Sequence, residues 1–145
     1  MSAREYSSEQ VEHFKKKADH NKQESLWCFR IIMLGTLSAP LLVGLGEGVF
    51  YAKVLPSILS AVAAFCTAWL QLRKPQELWS IYRNAQRQIE AQITHFDFSV
   101  AEYTGLDESK ASELLALHVS NLVLETNSRW TKHVPNPSSL KLESN

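Results

Sequence analysis

The chain has 145 residues, enough for one domain, and its 15 basic side chains balance 15 acidic ones. This neutral balance gives no overall electrostatic attraction toward nucleic acid, so nucleic acid is not an expected partner. The charge is unevenly spread, because Glu47 and Lys53 are the only charged residues within 31–72. An apolar block between two charged blocks is typical of a membrane protein.

The first predicted helix covers residues 8–30. Val11, Phe14 and Ala18 recur there at helical spacing, which gives the helix one apolar face. Ser7, with a glutamine three residues later, resembles a capping box at the helix start. The residues before it are expected to be loosely ordered, and the helix is expected to run directly into the first apolar segment.

Two apolar segments follow, at residues 31–46 and 49–72. Pro40 is expected to kink the first segment, and the glycines around Glu47 predict a tight turn between the two. The second segment contains nineteen uncharged residues from Val54 to Leu72, which as a helix would measure about 28 Å. This length is close to the thickness of a bilayer core, so the segment is predicted to span a membrane.

The C-terminal half is predicted to form two further helices, at 76–98 and 108–132, joined by a loop. The apolar positions of the first are spaced like the seam of a helix that packs on a partner helix. The last residues, 134–145, are polar and proline-containing, and are predicted to be disordered.

A soluble bundle with two apolar helices at its centre is the alternative. Three modest amphipathic helices could not readily cover both, so the fold class predicted here is an all-α membrane protein. We expect a two-transmembrane helical hairpin with long cytoplasmic helical extensions and a C-terminal cytoplasmic helix. Lys and Arg flank both apolar segments, whereas the connecting turn has only Lys53, so both termini are predicted to be cytoplasmic.

Small residues recur within both apolar segments, where they let helix backbones approach closely in lipid. We favour the interpretation that they hold the hairpin together; the alternative is that they contact other subunits of a homo-oligomer. Their hydroxyls either line a narrow wet path or bond back to helix carbonyls. The candidate pore or subunit-packing residues are Thr36, Gly44, Ser57, Ser60, Ala64, Thr67 and Ala68.

Basic residues at the inner ends of the spans form a second candidate group: Arg30, Arg73 and Lys74. Arg30 is expected to extend to the membrane interface, where a cation–π contact with Trp69 is feasible. Alternatively, the three side chains form a ring of charge at the inner mouth of an oligomeric pore. The two cysteines, Cys28 and Cys66, are expected to be reduced and buried.

No pattern in the sequence indicates catalysis. The five histidines form no helical pair with metal-ligand spacing, and no phosphate-binding or nucleophile motif is present. We therefore expect a protein that is not an enzyme and that has no cofactor or metal.

Certain residues resemble a known family. The stretch RKPQELWSIYRNAQRQIEAQI opens the third helix with Trp79, Tyr82 and Arg83, and the stretch LVLETNSRW places Glu125 shortly before Trp130. Together with the hairpin layout, they resemble the SLATT group of bacterial two-transmembrane proteins associated with nucleotide-signalling defence systems. The resemblance covers about residues 10–133.

This resemblance implies an effector of anti-phage defence in the bacterial inner membrane, which oligomerises and permeabilises that membrane when triggered. The chain has no fused sensor in its sequence, so the trigger is expected from a nucleotide-synthase or sensor partner, or from a nucleotide second messenger. The alternative is a constitutive membrane-anchored scaffold that recruits a cytoplasmic partner. The residues expected to build the cytoplasmic bundle are Leu78, Trp79, Tyr82, Ile89, Glu125 and Trp130, with Trp130 in core packing.

Overall fold

The computed structural model describes residues 1–133, so the predicted tail, 134–145, lies outside the described residues. The described part is helical and contains no strand. A π-helical turn, Phe50–Val54, precedes the second long helix, and a 3-10 turn, Ala101–Tyr103, precedes the last one. The four long helices are α1 (Ala3–Leu45), α2 (Leu55–Arg73), α3 (Pro75–Asp97) and α4 (Glu108–His133).

Helix α1 begins earlier than the sequence analysis placed it. Ser2 and Glu5 form a reciprocal cap: the Glu5 backbone N–H donates to Ser2 Oγ at 3.1 Å, and the Ser2 backbone N–H donates to Glu5 Oε2 at 2.7 Å. Ser7 lies inside the helix, where its hydroxyl donates to the Ala3 carbonyl at 2.7 Å. The predicted capping box at Ser7 is therefore wrong, because an earlier serine and glutamate satisfy the first free N–H groups.

Two local features set the ends of the apolar helices. Helix α1 continues through Pro40 and ends at Leu45, and Gly48 follows with φ +85°, a conformation that glycine adopts without strain. Helix α2 ends where Lys74 takes a left-handed conformation, with φ 46°, and its N–H donates to the Leu70 carbonyl at 2.9 Å. Proline then starts α3, since the first helical position needs no N–H donor.

The chain divides into two compact units. The first, here called the bundle, comprises residues 1–21 together with the described residues from Glu77 onward. The second, here called the hairpin, comprises residues 22–76, and so contains the later part of α1 and all of α2.

The bundle has a closed apolar core built by α1, α3 and α4. Phe14 stacks on Tyr82 with ring centroids 6.1 Å apart, and Ile89, Leu115 and Val119 are fully buried. Burying a side chain of this size contributes about 1.5–3 kcal/mol. The cluster of buried residues consists of Phe14, Ala18, Leu78, Tyr82, Ala85, Ile89, Tyr103, Ala111, Leu115 and Val119.

Candidate functional site

The two helices of the hairpin meet along a seam of small residues. A Cβ added to Gly35 would lie 3.2 Å from the Leu59 carbonyl oxygen and 3.3 Å from Ala63 Cβ, so the two backbones approach closely here. Buried and half-buried positions recur at alternating spacings of three and four, as in a coiled coil. They include Ser25, Cys28, Ile32 and Gly35 on α1 and Pro56, Leu59, Ala63, Cys66 and Leu70 on α2.

A polar clamp joins α1 and α2 at the open end of the hairpin, the end opposite the turn at Glu47. Trp69 Nε1 donates a 2.7 Å hydrogen bond to Glu24 Oε1, and Arg73 Nη1 lies 3.3 Å from the same oxygen. The Arg73 guanidinium also lies over the Trp69 ring, 5.9 Å from its centroid. A hydrogen bond to a charged group contributes about 1.5–3 kcal/mol, so this clamp fixes the register of the two helices.

Glu24 was missed by the sequence analysis. It lies before the apolar segment, and its partners are distant in sequence, so local spacing gives no sign of the pairing. The one indication of a role for Glu24 is its position: it precedes Ser25, which is buried on the face of α1 that continues the seam. The side chain of Glu24 is only 16% exposed, although it forms an ion pair with Arg73.

Arg30 does not contact Trp69. Its guanidinium lies over the ring of Trp27, one turn earlier on its own helix, at 5.7 Å from the centroid. The expected partner is wrong because the clamp aligns Glu24, and not Arg30, with Trp69. Of the three predicted inner-mouth residues, Arg73 takes part in the clamp, while Arg30 and Lys74 are exposed.

The seven predicted pore or subunit-packing residues all lie on exposed surface. The seam instead uses Gly35, Ala63 and Cys66, so the favoured interpretation, that the predicted face of Ser60, Ala64 and Ala68 holds the hairpin together, is wrong in its residues. In lipid every face of a span is apolar, and apolar pattern alone therefore does not tell the inner face from the outer one. The exposed residues are Thr36, Gly44, Ser57, Ser60, Ala64, Thr67 and Ala68.

Three of the hydroxyls among these residues are satisfied within their own helices. Thr36 donates to the Ile32 carbonyl at 2.7 Å, and Thr67 donates to the Ala63 carbonyl at 2.9 Å. Ser57 makes the equivalent bond to the Lys53 carbonyl at 2.7 Å. A hydroxyl paired in this way can face lipid without leaving a donor unsatisfied.

The outer surface of the hairpin is apolar and exposed. Leu34 is 70% exposed and Phe65 is 66% exposed. Two helices, Ala3–Leu45 and Phe50–Arg73, are long and apolar enough to cross a membrane, and only 11% and 17% of their apolar stretches are buried. Within residues 1–133 these apolar stretches are left uncovered, unlike the core of a soluble bundle, which would be surrounded.

The bundle brings together four of its six predicted residues. Leu78, Tyr82 and Ile89 are buried in its core, and Trp79 packs against that core. Helix α4 contributes Leu115, Val119 and their neighbours to the same cluster.

Glu125 and Trp130 do not anchor the last helix to the bundle. Glu125 is exposed and pairs with Arg129 on its own helix at 2.7 Å, while Trp130 is 41% exposed. The predicted core packing of Trp130 is therefore wrong. Thr126 is the buried residue of this turn, because it follows the helical face that carries Val119.

A chain of polar contacts crosses the bundle from α1 along α3. Arg83 donates to Asp19 Oδ1 at 2.7 Å and to Gln86 Oε1 at 2.9 Å, and Gln86 donates in turn to Glu90 Oε1 at 2.7 Å. Gln86 is buried, so these bonds satisfy an amide that would otherwise be costly to desolvate. Burial raises the pKa of Tyr82, the residue before Arg83 on α3.

The ends of the bundle are tied by further charged and polar contacts. Arg4 makes two hydrogen bonds to Asp97, at 2.8 and 2.9 Å, and this hydrogen bonding lowers the pKa of the carboxyl group. Tyr103 donates to Gln92 at 2.9 Å, and burial raises the pKa of this tyrosine. Within the described range, no group of three or more His, Cys, Asp or Glu side chains is placed to hold a metal ion.

Comparison with known proteins gives one match. The model of the family described as "SMODS and SLOG-associating 2TM effector domain 1" matches residues 4–130, which is most of the chain. This confirms the resemblance to the SLATT group that the residues indicate. No curated protein and no solved structure matches the chain.

Proposed function

This chain belongs to the family of SMODS- and SLOG-associating 2TM effector domains, and we propose that it is an inner-membrane effector of bacterial anti-phage defence. Domains of this family are effector domains associated with defence systems. In our proposal the chain oligomerises and permeabilises the membrane when a partner sensor or a nucleotide second messenger triggers it.

One observation carries this proposal: the hairpin is held together by its own seam, yet its outer surface is apolar and exposed. Leu34, Leu41 and Phe65 are each more than half exposed on that surface. Contiguous exposed apolar surface of this kind marks a membrane or protein contact. Lipid is the solvent that this surface fits, because both helices satisfy their backbone groups internally.

The distribution of basic residues supports an orientation with both ends in the cytoplasm. Arg73 lies at the open end of the hairpin, Arg30 lies nearer that end than the turn, and Lys53 is the only basic residue near the turn. A cysteine introduced at Glu47, in a variant with both native cysteines changed to serine, should react with a thiol probe that does not cross membranes. A cysteine introduced at Lys110 should react only after the cells are opened, and the reverse pattern would contradict this orientation.

Permeabilisation requires more than one copy, because two helices do not enclose a pore. The small residues Ser60, Ala64 and Ala68 offer a surface for contact between copies, since they are exposed and lie at spacings of four along α2. Small residues at this spacing allow close helix association in lipid. We therefore assign this face to the contact between subunits.

A cysteine cross-linking experiment tests this contact with a matched control. Ala64 and Val62 are both exposed and lie at about 100° to either side of the buried Ala63, at nearly the same depth. In a variant lacking Cys28 and Cys66, a cysteine at position 64 should form disulfide-linked dimers in membranes, and a cysteine at position 62 should not. Equal cross-linking at both positions would refute the assignment.

The effector activity itself is tested in bacterial cells. Cells that express the chain together with a partner nucleotide synthase should take up a membrane-impermeant dye after phage infection, and uninfected cells should stay dark. Ala64→Leu should reduce this uptake, whereas Val62→Leu should leave it unchanged, because leucine at 64 blocks close approach of a second helix. Infected cells that never take up dye, although the chain is in the membrane, would favour the scaffold alternative.

A further inference from the structure

We propose that Cys28 and Cys66 form a thiol–disulfide site: a peroxide oxidises the pair to an intrachain disulfide that joins α1 to α2. The site is a pair of facing cysteines on two different helices of the hairpin. Nothing in the effector activity requires it, and the chemistry of the pair stands apart from the proposed function.

The register of the hairpin places the two cysteines opposite each other. Trp69 bonds to Glu24 at 2.7 Å, which fixes one antiparallel level of the seam. Cys28 lies one turn after Glu24 along α1, and Cys66 lies one turn before Trp69 along α2. Antiparallel helices paired at one level also pair at the next, so Cys28 and Cys66 share the adjacent level.

The residues next to this level are small, as a close approach of the two helices requires. Ser25 and Ala63, which flank the pair along α1 and α2, are small and buried, and Gly35 contacts α2 further along. Small flanking residues bring the backbones together, and a disulfide requires such proximity of the two Cα atoms. Both thiols are free, and burial, followed by the neighbouring Cys66 thiol, raises the pKa of Cys28, which requires the two sulfurs to be near each other.

The two cysteines differ in exposure, which assigns their roles. Cys28 is half-buried and Cys66 is buried. An oxidant therefore reaches Cys28 first, and Cys66 is placed to react with the oxidised sulfur of Cys28. Cys28 lies one helical turn from the clamp at the open end of the hairpin, the end from which water-soluble oxidants approach.

The reaction balances with one peroxide molecule. The Cys28 thiolate attacks one peroxide oxygen, the O–O bond breaks, and the leaving hydroxide takes up the proton that the Cys28 thiol had released, so the products are a sulfenic acid on Cys28 and one water. The Cys66 sulfur then attacks the sulfenic sulfur, the S–S bond forms, and a second water leaves with the Cys66 proton. The two thiols lose two electrons and two hydrogens in total, and the peroxide is reduced to two waters. A dithiol reductant reverses the disulfide.

A disulfide at this level adds a covalent bond beside the clamp of Glu24, Trp69 and Arg73. The two helices can then no longer slide or separate at the open end of the hairpin. If membrane permeabilisation needs such a movement, oxidation blocks it; this consequence, unlike the disulfide itself, rests on the proposed function.

The test uses the full chain in membrane vesicles treated with hydrogen peroxide and then denatured and labelled with a bulky maleimide. The unmodified sequence should lose both labels after peroxide, remain a monomer on a non-reducing gel, and regain both labels after dithiothreitol. Its intact mass should fall by two hydrogens. Cys28→Ser and Cys66→Ser should each abolish the intrachain bond.

A matched control moves the second cysteine off the seam. In the double variant Phe65→Cys, Cys66→Ser, the new thiol is one residue away on exposed surface, so it should keep its label after peroxide. Retention of both labels by the unmodified sequence, or disulfide-linked dimers in place of the intrachain bond, would overturn the proposal. Dye release is measured separately, so loss of the pore activity and loss of the disulfide site are distinguishable.

Discussion

The sharpest test of the hairpin seam is the substitution Gly35→Leu. Gly35 lies where the backbones of α1 and α2 approach closely, with the Leu59 carbonyl oxygen 3.2 Å from the place a Cβ would take. That oxygen belongs to the helix backbone and has no rotamer by which to move away. A leucine at this position therefore forces the two helices apart along the whole seam.

The expected loss of stability follows from two opposing effects. Inserting extra carbon atoms into a well-packed contact costs about 1–3 kcal/mol, and leucine adds more than one methylene. Replacing glycine in a helix interior stabilises the helix by about 0.5–1 kcal/mol, which offsets part of this cost. We expect Gly35→Leu to lower the free energy of unfolding by about 1–2 kcal/mol net of these effects.

Gly44 supplies the matched control on the same helix, because a Cβ added there meets nothing within 4 Å. Gly44→Leu should leave stability unchanged or raise it by up to about 1 kcal/mol. The measurement is thermal unfolding of the purified protein in detergent, followed by circular dichroism. A difference of about 1–3 kcal/mol between the two variants corresponds to roughly 2–12 °C in Tm for a chain of this size.

The result that would refute the seam is equal melting of the two variants. It would mean that α1 and α2 do not pack through Gly35. The register of the two helices, from which the clamp and the pairing of the two cysteines follow, would then also be wrong. A loss of stability in Gly44→Leu as large as that in Gly35→Leu would lead to the same conclusion.

Three further predictions concern the bundle. Leu115→Ala should cost about 2–5 kcal/mol in urea denaturation because this side chain is fully buried, while the exposed Leu117→Ala should change stability by less than about 0.5 kcal/mol. Acidification should destabilise the bundle, because Arg4 lowers the pKa of Asp97 in the folded state. The stabilisation is present above the pKa of Asp97 in the unfolded state, about 4, and it is lost as the pH falls through the lower pKa of the folded state. Arg4→Ala should remove that acid dependence of Tm, and an unchanged profile would contradict it. Tyr103→Phe should cost about 1 kcal/mol through its lost hydrogen bond, and should also reduce the loss of stability above pH about 10, since the raised tyrosine pKa favours the neutral form.

The segmentation of the chain could be predicted from the sequence because charge marks it. The last charge before the first apolar segment is Arg30, and charge resumes at Arg73 after the second. The core face of α3 could also be predicted from the sequence, since the apolar residues Leu78, Tyr82 and Ile89 alternate with polar neighbours on an amphipathic helix.

The packing inside the hairpin could not be predicted in the same way. Ala64 and Ala63 are adjacent alanines on an apolar helix, yet one is exposed and the other lies in the seam. A hydrophobic pattern distinguishes the packed face of a helix from its outward face only where the outward face contacts water. In lipid both faces are apolar, so the pattern does not distinguish them. The choice is made by the partner helix, through Gly35 and the distant pairing of Glu24 with Trp69.

The most direct test of the effector account is dye release from liposomes that contain the purified full chain. We predict that the liposomes stay tight on their own and release dye when cyclic dinucleotides or a partner nucleotide synthase with its substrates are added. Protein-free liposomes given the same additions should hold their dye. Liposomes that stay tight with the chain inserted under every one of these conditions would contradict a permeabilising effector and leave the membrane-anchored scaffold in its place.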